Sequence, residues 1–593
     1  MVQKRIFQAF VIVILTGLSS CTTTTLNSEI TETNLFKHID FLASDSLKGR
    51  FPGTDEDRVA AEYIASTFSQ TGLDLFFGNG LQEFEITTEI EAGKNNRLQF
   101  NEELFRLRDD YMPISFSASD SIEAEVVFVG YGFNINEKEL KWNNYENINV
   151  KDKIVLILRG EPQNDELDFS FSLYSGLRTK AITAKDMGAA GVIFVSGPQF
   201  DENDELLLLD KPEGKLDIPV IQIKRDIANK LLMNKNTTIE RLEKLINKNQ
   251  SPNSFNTGKN ILLQTDVQTN PRQTFNVAAQ LTTGKNNRYI VIGAHYDHLG
   301  FGGHGTGSRM PNTKDVHYGA DDNASGVAAL LEIAQKLASK KDSLNNNFIF
   351  VAFGAEEMGL IGSKHFVNNL PVADSLILAM INIDMVGRLR QDRSLQIGGT
   401  GTSLEADSIL HLLNTKYNFK LGLSEEGYGP SDHSSFYSKD IPVFFYSTGA
   451  HIDYHTSNDT IGAINFDGLV EVTNFIYDLA FNLSSQNVTL TFSEAGPKSP
   501  GGDFNRREMK VSLGIMPDFS GVEKRGLRAD LVIKGKPADK AGMESGDIIV
   551  AMDGLPVGDV YEYMERLNQF KPGQIITVEV IRNEEKKVLI IQL

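Results

Sequence analysis

The sequence predicts an α/β protein whose main unit is a mainly parallel mixed sheet with helices on both faces. Strand-like and helix-like segments alternate from about residue 266 to residue 485, which is typical of a parallel sheet with crossover helices. The clearest helix is ASGVAALLEIAQKLASK, and its apolar residues recur at helical spacing. The stripe consists of Val327, Leu330, Leu331, Ala334 and Leu337. The strands are YIVIGA, NFIFVAF, LILAMINI and IPVFFYS.

The chain has 593 residues, which is too long for one hydrophobic core and predicts three or four domains. Ordered structure is expected to begin in NLFKHIDFLASDSLKGRFPGT with a helix, and DEDRVAAEYIASTFSQTGL predicts a second helix that stops at Gly72. Strand-like alternation follows to about residue 115.

Residues 116–265 are expected to form a separate, β-rich module. EAEVVFVGYGF and KIVLILRG are β-rich runs closed by glycine, and KAITAKDMGAAGVIFVSG predicts a helix, a turn and a strand. These segments resemble a protease-associated (PA) domain, which occurs as an insertion in several exopeptidases. A linker over 486–505 rich in proline and glycine follows the α/β unit.

The last block, residues 506–593, contains VSLGI, KPADKAGMESGDIIVAMDG and KPGQIITVEVIR. These pieces resemble a PDZ domain of the bacterial periplasmic protease type. The resemblance implies a groove near VSLGI that binds the C-terminus of a peptide or protein as an added strand. An equally open interpretation is that the domain only docks on its neighbour and braces it.

The first 21 residues predict export. Lys4 and Arg5 precede a mostly apolar run over 6–18 that is too short to span a bilayer, and LSSC follows. The ending resembles a bacterial lipobox, which implies cleavage before Cys21 and lipidation of that cysteine, followed by a tether over 22–33. We therefore expect a lipid-anchored lipoprotein of the cell envelope, facing the periplasm or anchored in the outer membrane. The alternative is an ordinary signal peptide with a chance cysteine.

Charge and cysteine content restrict the partners and the chemistry. The formal net charge is −20 and no dense Lys/Arg tract occurs, which argues against nucleic acid as a partner. Cys21 is the one cysteine of the chain, so any metal must be held by histidine, aspartate and glutamate.

Acids and histidines stand where the predicted strands end, and the carboxyl ends of parallel strands meet at one edge of a sheet. His295 ends YIVIGAH, Glu356 and Glu357 follow NFIFVAF, and Asp384 ends LILAMINID. Asp322 lies in GADDNASG at the start of the clear helix, and His455 lies in DYHTSNDT after IPVFFYS. Potential ligands from five different segments are therefore predicted to meet in one metal site.

The segments AHYDHLG, GADDNASG, FGAEEMGLIGS, INIDMVGR and YHTSNDT resemble, in matching order, the motifs of the zinc aminopeptidases of metallopeptidase family twenty-eight. The resemblance covers 34–115 and 266–485 and implies a zinc exopeptidase fold of the phosphorylase/hydrolase-like type. It also implies two zinc ions per chain, with the following roles. His295 and Asp384 would hold one zinc, Glu357 and His455 the second, and Asp322 would bridge them, while Glu356 would be the general base.

Two further residues are candidates for supporting roles. Asp297 is placed to accept the second N–H of the His295 imidazole, and Tyr454 is placed to stabilise the oxyanion or to pack beneath the ligand His455. Successive side chains near a strand end point to opposite sides, so Glu357 is expected to face metal and Glu356 to face substrate and water.

The function expected from this site is removal of N-terminal residues from peptides by water activated between two zinc ions. A carboxypeptidase or deacylase on the same scaffold is the first alternative, and it would need a cation such as Arg388 to hold a substrate carboxylate. A non-catalytic binding protein is the second alternative, although all five ligands and the base are present. His298 is either a supporting group of the site or a loop histidine without a metal role.

Overall fold

The computed structural model describes residues 28–593 apart from 139, 163–170, 172–173, 210–213, 304, 311, 487, 499–510, 519–522, 524, 559 and 568. The predicted signal peptide, the lipidation site Cys21 and part of the tether therefore lie outside the described residues. Among the residues described, no helix is both long enough and apolar enough to cross a membrane.

The amino-terminal segment forms two helices and two strands, namely α1 (Glu32–Leu42), α2 (Asp55–Gln70), β1 (Asp74–Leu75) and β2 (Leu81–Ala92). Both helices begin at a threonine whose side chain accepts a backbone N–H three residues later, Thr31 for α1 and Thr54 for α2. The α2 helix ends just before Gly72, whose positive φ of 82° stops the helix as the sequence predicts.

The inserted module is an eight-stranded sheet with helices against it. Its elements are β3 (Arg97–Phe100), β4 (Glu103–Phe105), β5 (Tyr111–Pro113), β6 (Ser121–Phe128), β7 (Asn134–Asn136), β8 (Lys141–Asn143), β9 (Ile154–Leu158), α3 (Leu177–Asp186), β10 (Gly191–Val195), β11 (Val220–Ile223), α4 (Arg225–Leu232), α5 (Ile239–Asn249) and β12 (Phe255–Gln264). The strand order is β4-β3-β12-β6-β9-β10-β11-β5, and β7 pairs separately with β8.

The amino-terminal boundary of this module differs from the prediction. Residues 97–113 were expected to belong to the unit that ends at 115, but β3 pairs with β12 and β5 pairs with β11. Short strands with weak alternation take their sheet from distant partners, which local sequence does not encode. The module therefore begins no later than Arg97, the first residue of β3.

Strands β13 (Val267–Leu281), β14 (Tyr289–His295), β15 (Asn347–Phe353), β16 (Ile377–Ile383), β17 (Ser394–Gly398), β18 (Lys420–Leu423) and β19 (Val443–Ser447) join β1 and β2 in a nine-stranded sheet. The order is β1-β13-β15-β14-β16-β19-β17-β18, with β2 paired to β13. The four central strands β15, β14, β16 and β19 are parallel, and β13 and β17 flank them antiparallel. This confirms the predicted mixed α/β fold.

The helices of this unit are α6 (Gly326–Ser339), α7 (Ile361–Asn368), α8 (Ala406–Asn414), α9 (His433–Tyr437) and α10 (Phe466–Ser485). The predicted stripe of α6 is fully inside the core, and Ile333 and Ala329 on other faces of the helix are buried as well. The burial extends around α6 because α1 and α10 cover it on the side away from the sheet. The amino-terminal end of α6, next to Asp322, is therefore buried as well.

The carboxyl-terminal domain consists of β20 (Ile515–Pro517), β21 (Leu527–Val532), α11 (Pro537–Lys540), β22 (Ile548–Met552), β23 (Leu555–Pro556), α12 (Val560–Leu567), β24 (Ile575–Arg582) and β25 (Glu585–Gln592). Its strand order is β20-β21-β22-β24-β25, with β23 paired to β22, and it has a hydrophobic core of its own. The predicted start at 506 falls among residues the structure does not describe, and the description resumes at Val511.

Candidate metal centre

The predicted ligands meet because three parallel strands end at the same level. His295 is the last residue of β14 and is paired with Phe353, the last residue of β15. Gly293 is paired with Asn382 on β16, so two residues further along each strand His295 lies level with Asp384. The sheet edge thus supplies an imidazole and a carboxylate side by side, as strand ends in an open parallel sheet are expected to do.

The first cluster contains His295, Asp322 and Asp384. The His295 Nε2 atom lies 3.3 Å from Asp322 Oδ1 and 3.2 Å from Asp384 Oδ1. One ligand atom of each residue lies within 4.8 Å of the other two. Donor atoms bonded at about 2.0–2.1 Å to a tetrahedral zinc are about 3.3 Å apart, so these separations suit a shared cation.

The second cluster shares Asp322 with the first. The His455 Nε2 atom lies 3.2 Å from Asp322 Oδ2 and 3.1 Å from Glu357 Oε2. Asp322 is buried, and its two carboxylate oxygens face the two clusters separately. All five predicted ligands are therefore brought together, with Asp322 between the other two pairs. Among the described residues the buried Asp322 Oδ2 atom accepts no well-aligned hydrogen bond, which leaves a lone pair available to a cation beside His455.

The glutamates that follow β15 have opposite electrostatic surroundings. Burial alone would raise the pKa of Glu357, but the imidazoles of His455 and His298 outweigh burial and hold that pKa at about 2. Burial raises the pKa of Glu356 well above its usual value; His295 opposes this rise and Glu357 adds to it. Glu357 is therefore a paired, ionised carboxylate, whereas Glu356 is a carboxylate that readily takes up a proton.

The histidines respond to the same acids. Burial disfavours a charged imidazole at His295 and at His455, yet the carboxylates that face them raise both pKa values well above the usual value. Asp384 is the leading acid at His295, and Glu357 is the leading acid at His455. Protons and divalent cations would therefore compete for the same ring nitrogens.

Three family models match the chain. Residues 276–480 match peptidase family M28, residues 122–231 match the PA domain, and residues 513–593 match the PDZ domain. All five predicted ligands lie within the residues that match the M28 family model. The residues that match the PA domain precede those that match family M28, and the residues that match the PDZ domain follow them.

The chain spans about half the length of the curated relatives it matches. Probable leucine aminopeptidase 2 of Trichophyton verrucosum is 25% identical over 272 residues, which cover 41% of this chain and 51% of that protein. Leupeptin-inactivating enzyme 1 of Streptomyces exfoliatus is 31% identical over 181 residues, covering 30% of this chain and 36% of that protein. The solved structure of BSAP, a zinc aminopeptidase from Bacillus subtilis, is 23% identical to this chain, with a TM-score of 0.44. The alignment covers 79% of this chain and 99% of the BSAP chain.

The two glutamates of the M28 domain lie in a turn rather than on the strand. Strand β15 ends at Phe353, and Ala355 adopts a positive φ of 54° before Glu356. The expected alternation of strand side chains therefore does not separate the two carboxylates. They are separated by the turn, which is closed by N–H groups of Gly359 and Leu360 donating to the Glu356 carbonyl.

Asp297 makes a different contact from the one predicted. The His295 Nδ1 atom is 3.3 Å from the backbone carbonyl of Asp297 and 3.8 Å from its carboxylate. The Asp297 carboxylate instead accepts the backbone N–H groups of Glu356 at 2.9 Å and Glu357 at 3.3 Å. Asp297 therefore fixes the turn that presents both glutamates, while its carbonyl orients the His295 ring.

Two groups hold the second cluster from outside. The His455 Nδ1 atom lies 3.1 Å from the Gly307 carbonyl, and an Nδ1–H donated there leaves Nε2 free for a cation. His298 is fully buried and its Nδ1 atom lies 2.9 Å from Glu357 Oε1 and 3.9 Å from Asp322 Oδ2. Burial lowers the pKa of His298, so it donates as a neutral ring. His298 therefore contacts the ligand carboxylate of Glu357 directly.

The Tyr454 ring stacks on the His455 ring, with centroids 3.8 Å apart. Burial raises the pKa of the Tyr454 phenol well above its usual value, and the carboxylates of Asp322 and Glu357 add to the rise. Tyr454 thus both packs against a ligand ring and keeps its proton as a hydrogen-bond donor. The two interpretations left open by the sequence are compatible in this geometry.

Sequence reasoning missed a buried network beneath the bridging ligand. The Asp459 carboxylate accepts the backbone N–H of Asp321 at 3.0 Å and that of Asp322 at 3.0 Å. His451 Nε2 lies 3.2 Å from the Asp321 carboxylate, and the Arg388 guanidinium pairs with Asp453. Asp459 stands four residues after His455 in the quoted motif, but nothing in its sequence context indicates that it accepts backbone N–H groups.

Proposed function

We propose that this protein is a metal-dependent aminopeptidase that hydrolyses the first peptide bond of peptide substrates. The observation that supports this most is the pair of clusters, His295 with Asp384 and His455 with Glu357, joined by the two oxygens of Asp322. A site of two imidazoles and three carboxylates, shared in this way, is suited to two cations. The M28 match and the aminopeptidase relatives support the same class of reaction.

The donor set supports zinc as the resident ion. Zinc binds imidazole nitrogen and carboxylate oxygen, and the site contains both kinds of atom within the separations that one ion requires. When bound, the two ions would polarise the scissile carbonyl and lower the pKa of a water molecule. The five residues His295, Asp322, Glu357, Asp384 and His455 would hold them.

Glu356 is proposed as the general base. Its side chain is largely buried, and among the described contacts no hydrogen bond or ion pair engages its carboxylate. Burial raises its pKa, which favours a proton arriving on it during the reaction. Glu356 would take a proton from the attacking water and deliver it to the leaving amine.

Tyr454 is proposed to donate its phenolic hydrogen to the oxygen that becomes negative as the carbonyl is attacked. The phenol remains protonated because burial and neighbouring acids raise its pKa. A preorganised donor aimed at developing charge typically lowers the activation barrier by about 3 kcal/mol. Its stacking on His455 keeps the ring in place.

The acidic character of the site favours recognition of a free amine over recognition of a carboxylate. The cation that a carboxypeptidase would need, Arg388, is engaged with Asp453 and with the Ala463 carbonyl at 2.9 Å. Arg309, on the Gly-rich segment that contacts His455, donates to the carbonyls of Ile452 and Tyr454. Both guanidinium groups therefore have structural partners, which supports the aminopeptidase proposal.

The experiment compares a set of aminoacyl amides and free-amine peptides with their N-acetylated counterparts, using the zinc-loaded full chain and metal analysis of the same sample. Hydrolysis of the free-amine series, with release of the first residue, supports the proposal. Cleavage confined to N-acetylated peptides would identify a deacylase or carboxypeptidase and overturn it. Absence of hydrolysis from a sample containing two zinc ions per chain would favour the binding-only alternative.

We also propose that the protein is exported and lipidated at Cys21, on the strength of the basic start, the short apolar run and LSSC. A Cys21→Ala variant is expected to leave the membrane fraction.

The PDZ domain is proposed to bind a peptide or protein C-terminus at the loop that contains VSLGI. The test compares the binding of a panel of free-carboxylate peptides with that of the same peptides as C-terminal amides.

A further inference from the structure

Arg50 occupies a turn that is pressed against the loops of the metal centre. The turn follows α1, and Gly49 and Arg50 both adopt positive φ, 76° and 48°. A Cβ atom at Gly49 would lie only 2.4 Å from the His317 carbonyl and 2.6 Å from the Gly300 carbonyl. The backbone N–H of His298 donates to the Arg50 carbonyl at 3.3 Å. The turn of Gly49 and Arg50, almost 250 positions away in sequence, thus packs against the loop that follows His295.

The Arg50 side chain is one of the largest fully buried side chains among the described residues, with 1% of its surface exposed. Four carbonyl oxygens accept its N–H groups. They belong to Tyr296 at 2.7 Å, Leu42 at 2.7 Å, Tyr318 at 2.6 Å and Gly319 at 3.0 Å. Within the described part of the chain no carboxylate lies at ion-pair distance from the guanidinium, so its direct partners are backbone groups.

Three of these carbonyls belong to the segments that hold His295 and Asp322. Tyr296 is the residue between His295 and Asp297. Tyr318 and Gly319 immediately precede the turn of Ala320 to Asp322. One planar guanidinium therefore spans the loop that holds a ligand of the first cluster and the turn that holds the bridging ligand. A planar fork with five donors can do this, whereas a lysine ammonium presents its donors from a single atom.

The charge of Arg50 is balanced at longer range. The carboxylates of Asp322, Asp297, Asp459 and Glu357 favour its charged form, and although burial lowers its pKa to about 10, the group remains charged at neutral pH. An unpaired buried guanidinium is costly, so its retention here needs the surrounding acids. Those same acids include two of the five ligands.

We propose that Arg50 is a positioning residue of the metal centre, which fixes the separation of the His295 and Asp322 segments by clamping the carbonyls of Tyr296, Tyr318 and Gly319. The inference rests on the proposed metal-dependent function but concerns metal affinity rather than turnover. Arg50 touches neither substrate nor ligand side chains. Its effect passes through the backbone that presents them.

The test measures zinc binding to the full chain in wild type, Arg50→Lys and Arg50→Gln, by competition with a chelating dye. Arg50→Lys keeps the charge and most of the volume but loses the fork, so it separates geometry from charge. We expect both variants to bind zinc about 10–100-fold more weakly, the range found when groups that orient metal ligands are removed. Excess zinc should restore the metal content of Arg50→Lys.

The matched control is Lys180→Met in the PA domain. Lys180 is as deeply buried as Arg50 and donates to the carbonyls of Leu158 at 2.8 Å and Gly160 at 2.5 Å, in a domain that contains none of the five ligands. We expect Lys180→Met to lower the melting temperature while leaving zinc affinity unchanged.

Wild-type zinc affinity in Arg50→Lys, with a loss of melting temperature like that of the control, would overturn the proposal and leave Arg50 a merely structural group. If Arg50→Gln does not fold, Arg50→Lys decides the matter alone. Weak zinc binding in the variants together with an inactive, zinc-replete wild type would support the role of Arg50 while refuting the aminopeptidase.

Discussion

At the scale of single residues, neighbouring identical side chains acquire different chemistry from their contacts. Glu356 and Glu357 are adjacent, yet among the described contacts only Glu357 lies at ion-pair distance from imidazoles, with its oxygens 3.1 Å from His455 and 2.9 Å from His298. Asp297 holds the backbone N–H of both. The division of roles is therefore set by the turn and its partners, since the two residues are chemically the same.

The first prediction separates these roles. Glu356→Gln should keep two zinc ions per chain and lose about 10²–10⁴-fold in kcat, because the amide cannot accept the proton. Glu357→Gln, the matched change one position along, should lose zinc as well, because an amide cannot replace an ionised carboxylate ligand. Zinc content by mass spectrometry under native conditions and steady-state kinetics measure both. Equal zinc loss in the two variants would contradict the role split.

At the scale of secondary-structure elements, the sequence predicts what depends on local pattern. The strands that end at His295 and before Asp384 are found where the apolar runs predict them, because buried parallel strands are continuous apolar segments. The joining of five segments at one sheet edge follows from that topology. Ligand convergence could therefore be anticipated without coordinates.

What the sequence does not predict depends on long-range backbone contacts. Arg50 lies outside any periodic apolar pattern, and neither residue next to it in the sequence is titratable. The carbonyls of Tyr296 and Gly319 that accept its N–H groups are 246 and 269 positions away. Asp459 likewise acts by accepting N–H groups about 137 positions distant. Strands β3 and β5 were assigned to the wrong unit for the same reason, since their partners β12 and β11 lie more than a hundred positions away.

The second prediction concerns the start of α2. Asp57 is fully buried there and accepts the Gly53 N–H at 2.9 Å and the Thr274 hydroxyl at 2.7 Å, so it ties α2 to β13. Burial raises its pKa from 3.8 to about 6. Between those values the unfolded chain is ionised while the folded protein is protonated. The contribution of Asp57 to the free energy of unfolding therefore falls by about 3 kcal/mol as pH rises through this window. Above the window this contribution is constant.

An Asp57→Asn variant lacks this titration. Urea unfolding of wild type and variant at pH 4, 5, 6 and 7 is the measurement, and the difference between them should change by up to about 3 kcal/mol between pH 4 and pH 6. Other acids titrate equally in both proteins and cancel. Parallel curves would show that burial does not shift Asp57 as described.

At the scale of the whole molecule, the PDZ domain contacts the loop that leads to His455. Asp530 of the PDZ domain lies 3.6 Å from the Arg390 guanidinium, which also donates to the Ala450 carbonyl at 3.0 Å. A cavity of about 560 Å³ between the two domains is lined by residues from both, including His451 and Arg528. This contact supports the interpretation that the PDZ domain docks on its neighbour and braces it. Binding of a peptide C-terminus in the groove is a separate proposal.

The third prediction tests the contact. Arg390→Glu places a carboxylate against Asp530 and removes the donor to Ala450, so the PDZ domain should detach from the M28 domain. Small-angle X-ray scattering should show a larger radius of gyration, and kcat should fall several-fold as the loop before His455 loosens. Arg393→Glu, on the same segment but paired with Glu471, is the control. Unchanged scattering in Arg390→Glu would contradict a docked PDZ domain.

The most direct test of the metal centre is anomalous diffraction at the zinc edge from crystals of the full chain grown with zinc. The account predicts two peaks on either side of the Asp322 carboxylate. One should lie at bonding distance from His295 and Asp384, and the other at bonding distance from Glu357 and the His455 Nε2 atom rather than from His298. A single peak, a second peak on His298, or no peak among these five residues would contradict it.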